Sequence, residues 1–496
     1  MTEHAKALQP LATEDRHARI AIDLGAESCR VTLLRWTRGQ PTIRLLKRIP
    51  NAPYLDSNGN LRWPLHHLTQ QIFDALKLAS DTVTEGIASI GVDGWAVDSV
   101  RLDDQGQAIE NPFCYRDERT VAAKESLDTM LTPSELFART GVQPLRINTL
   151  YQLASDRLQH STERRWMLLP EYLLSTLGAE PVAEWTNATH TGLVDATTRQ
   201  WDTELFARAG LNAALAPRIV APGTVIGSVR GELAQWNAYR QTRLIAPACH
   251  DTASAVATLQ CDPVESAYII CGTWSLVGAA LTSPVISEAV RERGFTNLGA
   301  ASGAYCFHTN INGMWMLKQC VELWLSEGRA SEHLEFSQLT QQAEQANIPS
   351  KAIFPVDAPE LQMPGEMPQK IRRLLRDHTG ITLAESSNDE AAITRVILNS
   401  LAFRYAQALR DLEELTGKRY SQIRVLGGGA RNRLLLRLIA ESTGRMVTAG
   451  TVEASTLGNF ALQMAADHSD NHQAALLRPY VELCTQAEWL PSQSDL

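Results

Sequence analysis

No long apolar run occurs in this 496-residue chain. Its most hydrophobic stretch, "AYIICGTWSLVGAAL", is too short and too interrupted by Gly, Thr and Ser to span a bilayer. The start, "MTEHAKALQPLATEDRHAR", has no apolar segment, so no secretory signal is expected and residues 1–18 read as a flexible extension. Positive charge is not in excess: 46 Lys and Arg stand against 55 Asp and Glu, a net charge of −9. That argues against a nucleic acid or an anionic membrane as partner, while leaving room for a local positive pocket. The eight cysteines (29, 114, 249, 261, 271, 306, 320 and 484) form no CxxC pair and no zinc-type cluster with histidine. Reduced thiols and a cytoplasmic location are the expectation. Neither GxxxxGK[ST] nor GxGxxG is present, which removes the common phosphate-loop and dinucleotide signatures.

What is present fits a globular enzyme: 44% hydrophobic and 20% charged residues, and enough length for two or more domains. Ile20, Ile22 and Leu24 alternate as in a strand, Gly25 breaks the run, and Val31–Trp36 resumes it. "SAYIICGTWSLVGAALTS" repeats that strand–turn–strand plan in the second half. "LHHLTQQIFDALKLAS" and the stretch from Ile393 to Leu415 carry apolar residues at helical spacing, the latter ending at Gly417. Strands alternating with helices predict α/β layers. The doubled hairpin predicts a weak internal duplication, with a boundary near residues 245–260 and a ligand cleft there.

Several stretches could carry chemistry. In "DLGAESCR" the backbone of a tight turn, Ala26 to Arg30, could cradle phosphate oxygens, and Asp23 could hold Mg²⁺ through its water shell. An ordinary hairpin would look the same. "CGTWSLVG" offers Thr273 in a second turn. In "VLGGGARN", Gly429 lies in a turn that lets a flat ligand approach, or is simply a tight turn. "VEASTLGN" is either close to a nucleotide or a helix packing through small residues. In "DGWAVDSV", Asp93, Trp95 and Asp98 have the chemistry of a polyol pocket. Arg116, Asp117 and Arg119 read as a structural ion-pair knot or a site. In "HDTASAV", Asp251 is placed to accept a hydroxyl proton, and the helix dipole is expected to keep it ionised.

Taken together and in order, "IDLGAESCR", "GVDGWAVDSVRLDDQG", "YRDERT", "NTLYQL", "TNATHTGLVD", "HDTASAV", "GTWSLVG", "VLGGGARN" and "VEASTLGN" resemble the FGGY carbohydrate kinases. The resemblance runs from about residue 18 to about residue 465. It implies a two-domain actin/Hsp70/hexokinase-like (ribonuclease H-like) α/β fold with an interdomain catalytic cleft. The expected domains are 19–250, with the sugar and first phosphate hairpin, and 251–496, with the nucleotide. It also implies ATP with Mg²⁺, a small-molecule ketose acceptor and a monomer or homodimer. The 1-hydroxyl of L-rhamnulose is the leading acceptor, with L-fuculose, L-ribulose or D-xylulose as alternatives. A non-catalytic nucleotide or sugar sensor is the alternative of another class.

Carried over by residue, the resemblance makes Asp251 the base. Trp95, Ala96, His250, Thr252 and Asn310 fall on the sugar side. Ala26, Glu27, Ser28, Cys29, Arg30, Thr273, Lys318 and Gly429 fall on the nucleotide side, and Asp23 on the metal. Four residues depart from the family's pattern: Glu27, Cys29, Ala96 and Lys318. A carboxylate at Glu27 is unfavourable beside phosphate unless it points away or meets a cation. Cys29 places a Cβ where the backbone should be open, and would be redox-sensitive if exposed. The methyl of Ala96 could change which ketose fits, an effect of about 1–3 kcal/mol.

Overall fold

The computed structural model describes residues 16–159, 164–259, 265–329, 336–383, 389–468 and 474–490. Residues 1–15 of the expected extension lie outside the described residues. The first half opens with β1 (Ala18–Leu24), β2 (Ser28–Thr37) and β3 (Gln40–Pro50), an antiparallel meander. Helix α1 (Leu65–Thr82) follows, then β4 (Ile87–Gly94), β5 (Thr224–Ser228) and β6 (Arg243–Ala246). The sequence alternation in β1 suggests one buried face, yet all seven of its residues are buried. The reason is its central place in the sheet: α1 covers one side through Leu68, Ile72 and Leu76, and a late helix covers the other.

The second half begins with α2 (Asp251–Ala257) and the hairpin β7 (Ser266–Cys271) and β8 (Trp274–Leu281). Strands β9 (Phe295–Gly299) and β10 (Tyr305–Asn312) and helices α3 (Trp315–Ser326) and α4 (Glu390–Thr416) come next. The chain closes with β11 (Gln422–Leu426), α5 (Arg433–Thr443), β12 (Met446–Ala449), α6 (Ala454–His468) and β13 (Glu488–Leu490). Helix α4 buries Ile393, Val396, Ile397, Leu401, Tyr405, Leu409 and Leu412 and ends at Gly417, left-handed at φ 66°, as its sequence predicts.

The two large sheets share one plan. The first runs β5-β6-β4-β1-β2-β3-β13 and the second β9-β10-β8-β7-β11-β12. In each, the first strand pairs antiparallel with the second strand of its hairpin and parallel with a later strand, which pairs parallel with the next. The internal duplication is therefore real at the level of topology. The cut at residue 250/251 needs a correction, because the chain's end returns to the first half. Strand β13 pairs with β3, and α6 packs on β1 and β4. The apolar residues of α6 (Leu457, Phe460, Ala461 and Met464) cover the second face of the first sheet, together with Ala253 of α2.

Candidate active site

Parallel strands ending side by side create a crevice at their carboxyl ends. In the first sheet β1, β4 and β6 end together. Gly94 donates its N–H to Cys249 O at 3.0 Å, and Trp95 N donates to Leu24 O at 3.1 Å. Each of these ends delivers one acid: Asp23 from β1, Asp93 from β4, and Asp251 just after β6. Helix α6 crosses the group. Ser455 Oγ donates to Asp23 at 2.8 Å and Asn459 Nδ2 donates to Asp93 at 2.5 Å. Farther along, Gln463 Nε2 donates to Ile20 O at 2.9 Å and its Oε1 accepts from Ser89. Gly458 permits this approach, since a Cβ there would sit 1.8 Å from Ser254 O of α2. The stretch "VEASTLGN" is thus a packing helix with polar teeth. The small residue marks its crossing.

Burial controls the charges. Asp93 is held well above the ordinary carboxylate range, first by burial and then by Asp23. Asp23 is raised by burial and by Asp251, against the pull of Arg30 at 3.0 Å. Asp251 opens α2, and its side chain is 36% exposed. Even so, surrounding protein pushes its pKa up to about 6. Asp251 is therefore a carboxylate at neutral pH, as expected, but desolvation brings its protonation into mild acid. Thr252 Oγ1 donates to its Oδ1 at 3.1 Å. His250 Nε2 lies 3.5 Å from Asp251 Oδ1, but burial pushes His250 down to about 3, so this neighbour is a neutral imidazole.

Other expected residues settle differently. Trp95 and Asp98 are buried rather than open to solvent. Trp95 is 8% exposed, and Asp98 accepts from Trp95 Nε1 at 2.9 Å, Trp63 Nε1 at 2.5 Å and Gln152 Nε2 at 3.0 Å. This is an internal support, and Trp63 and Gln152 were not foreseen in it. Ala96 is also buried. The next residue, Val97, has φ 73°, an outlier for a β-branched side chain, with its carbonyl held by Thr149 Oγ1 at 2.7 Å. The "YRDERT" stretch is structural in the main. Arg119 pairs with Asp156 at 2.5 Å, and Asp117 accepts from Leu61 N and Arg119 N. Asn310 is exposed on the face of β10 that also carries His308, whose charge would be felt at His190.

On the first hairpin, Asn51 ties down the tip by donating to Gly25 O and Glu27 O at 3.0 Å each. Cys29 points into the core, fully buried, and burial lifts its thiol to about 12. It neither blocks the phosphate side with its Cβ nor meets the conditions for a reactive thiol. The seven cysteines among the described residues are buried and form no disulfide with one another, and Cys261 lies outside them. Arg30 is committed to Asp23 and Glu453 rather than being a free cation. Exposed Glu27 does meet a cation: Lys318 Nζ of α3 is 2.8 Å away. The two departures from the family's pattern are thus partners. Ser28 accepts from Arg48 at 3.3 Å, and Ala26 is half-buried beside it.

The second hairpin turns at Gly272 and Thr273, whose carbonyls accept from Met314 N and Trp315 N at the start of α3. In the triple glycine, Gly429 is a packing residue. A Cβ there would meet Cys271 Sγ at 2.3 Å, whereas Gly428 has nothing within 4 Å. The open position of this turn is therefore Gly428, next to the expected Gly429. Among the described residues no three His, Cys, Asp or Glu side chains are placed to hold a metal ion. The donor chemistry suits a divalent cation carried mainly by phosphate oxygens and water. Asp23 and Asp251 repel each other, and Asp93 Oδ1 has no hydrogen-bond partner among the described residues. No helix among them is long and apolar enough to cross a membrane.

Comparison with known proteins agrees with this frame. Sequence models of the FGGY family of carbohydrate kinases match at residues 18–258, the N-terminal domain, and 267–466, the C-terminal domain. A rhamnulokinase of Oceanobacillus iheyensis is 32% identical over 482 residues, covering 95% of this chain and 99% of that protein. A rhamnulokinase of Yersinia pestis is 36% identical over 456 residues, covering 90% of this chain and 89% of that one. Among solved structures, a gluconate kinase from Lactobacillus acidophilus superposes with a TM-score of 0.75 at 15% identity, covering 97% of this chain and 95% of that one. At that identity the likeness speaks to the fold.

Proposed function

The chain belongs to the FGGY family of carbohydrate kinases, ATP-dependent sugar phosphotransferases, and we propose that its acceptor is the 1-hydroxyl of L-rhamnulose. The products are L-rhamnulose 1-phosphate and ADP. The observation that carries the chemical part is Asp251: a partly exposed carboxylate at the start of α2, raised to about 6, beside a neutral histidine. Such a group is ionised at neutral pH yet basic enough to take a proton. Asp251 accepts the proton of the O1 hydroxyl as O1 forms its bond to the γ-phosphorus. The bond from that phosphorus to the β,γ-bridging oxygen breaks, and ADP leaves with the electron pair.

His250, Thr252 and Asn310 hold the ketose, with Ala96 and Trp95 beneath it. The hairpin tips, Ala26 to Arg30 and Thr273, take the phosphates by backbone and hydroxyl. Lys318 adds charge, and Gly428 gives the nucleotide an open position in the turn that Gly429 packs from beneath. Mg²⁺, held by Asp23 through water, would neutralise phosphate charge. Closure of the two halves would exclude water from ATP. The acceptor assignment is supported by the relatives named rhamnulokinase. The test is ADP release with Mg·ATP and each of L-rhamnulose, L-fuculose, L-ribulose and D-xylulose, against a no-sugar blank. L-Rhamnulose should give the highest kcat/KM. A higher value for another ketose overturns the acceptor, and silence with ATP still bound overturns turnover itself in favour of a sensor.

A further inference from the structure

His190 lies outside every role assigned above, yet its ring meets the site. It sits in a short helical turn, Thr189–Thr191, which Gly192 ends at φ 70°. Its Nε2 is 3.1 Å from His250 Nδ1, and the ring centroids are 4.0 Å apart. On the far side of His250, Nε2 is 3.5 Å from Asp251 Oδ1. The order is therefore His190, His250, Asp251.

The backbone around this contact is built rather than incidental. Glu184, fully buried, accepts from Cys249 N at 2.8 Å, Thr186 N at 2.9 Å and Thr186 Oγ1 at 2.5 Å. Thr186 Oγ1 in turn accepts from His250 N at 3.2 Å. Asn148 Nδ2 donates to His190 O at 3.0 Å, and Thr189 Oγ1 accepts from Gly299 N at 2.9 Å. The two segments that carry the imidazoles are thus tied to one buried carboxylate and to both halves of the chain.

A neutral imidazole carries one proton, on one nitrogen. The His190–His250 bond needs one donor and one acceptor. If His250 kept its proton on Nδ1, its Nε2 lone pair would face the carboxylate of Asp251, which is repulsive. With the proton on Nε2, His250 presents a donor to Asp251 and to a sugar oxygen, and Nδ1 must accept.

We propose that His190 is a positioning residue: its Nε2–H donates to His250 Nδ1 and so fixes the His250 proton on Nε2, toward Asp251 and the sugar. This rests on the kinase reading above for its consequence, but not for its geometry. A ring held in the right tautomer orients the ketose without touching phosphate. Loss of His190 should therefore act on sugar binding and leave ATP alone.

The test has two parts. Nitrogen-15 spectra of histidine-labelled protein, assigned with His250→Gln, report the His250 tautomer without any turnover. Wild type should show Nε2–H, and Nδ1–H would overturn the proposal whatever the enzyme does. Steady-state kinetics then compare His190→Leu with His190→Gln, whose amide can still donate. His190→Leu should raise the ketose KM by about tenfold, the scale of one lost hydrogen bond, and leave the ATP KM within about twofold. His190→Gln should restore most of it. Unchanged ketose KM in His190→Leu, or equal rises for both substrates, overturns the proposal. If His190→Leu does not fold, the wild-type tautomer and the His190→Gln kinetics still decide. An Nε2–H tautomer in a protein that turns over no ketose would refute the functional reading while leaving the histidine pair intact.

Discussion

The two halves of the molecule are the same sheet drawn twice, and they carry opposite chemistry. At the end of β1 stands Asp23, and at the matching end of β7 stands Cys271. At the end of β4 stands Asp93, and beyond the matching end of β11 stand three glycines. The strand ends of the first sheet gather acids that burial makes basic, Asp251 among them just past β6. The second half offers bare backbone and a neutral thiol against which Gly429 packs. The two sheets share strand order and direction around their hairpins, while the residues at strand ends differ. On the proposed function, proton transfer falls to the strand ends of the first sheet and the nucleotide to those of the second.

That division can be broken in order of expected effect. Asp251→Asn, just past the end of β6 in the first sheet, should retain ATP binding and lose about 10²–10⁴-fold in kcat, because an amide cannot take the proton. Isothermal titration with ATP beside the ADP-release assay checks this. In the second half, Gly429→Ala should lower stability by about 1–3 kcal/mol through its clash with Cys271, whereas Gly428→Ala should leave stability within about 0.5 kcal/mol. Denaturant titration separates the two, and equal losses would remove the packing role from Gly429. The smallest effect is expected between the halves. Glu27→Gln should lower the ATP KM by roughly twofold to fivefold by freeing Lys318, on the scale of an exposed ion pair. The gain should vanish in a Lys318→Met background. A gain that persists there would mean that Glu27 acts on phosphate directly.

The sequence made the elements and the doubled hairpin readable because each is local. Alternation in β1, the apolar stripe of α4 and its glycine stop are decided by near neighbours in the chain. The acid at the start of α2 was legible for the same reason. The direction of Cys29 was not. A hairpin tip can present either face, and tertiary packing of β2 turns the thiol into the core. Nor could spacing show that Asn459 reaches Asp93, 366 residues away, or that β13 returns to the first sheet. Lys318 and Glu27 looked like two unrelated oddities until the fold placed them 2.8 Å apart. His190 gave no local signal, since its meaning comes from His250 beyond a whole sheet connection.

The central claim is that Asp251, raised by burial, is the base. The sign differs for stability and for activity. A folded pKa raised from 3.8 to about 6 means that the contribution of Asp251 to stability is full below 3.8 and is lost as pH rises through about 6. Activity runs the other way, because only the carboxylate accepts a proton. The decisive measurement is kcat/KM for L-rhamnulose against pH at saturating Mg·ATP, for wild type and for the residual rate of Asp251→Asn. Wild type should fall about tenfold per pH unit below a midpoint near 6, and the variant should lack that limb. A flat wild-type profile through pH 6, or the same limb in both proteins, would contradict the account.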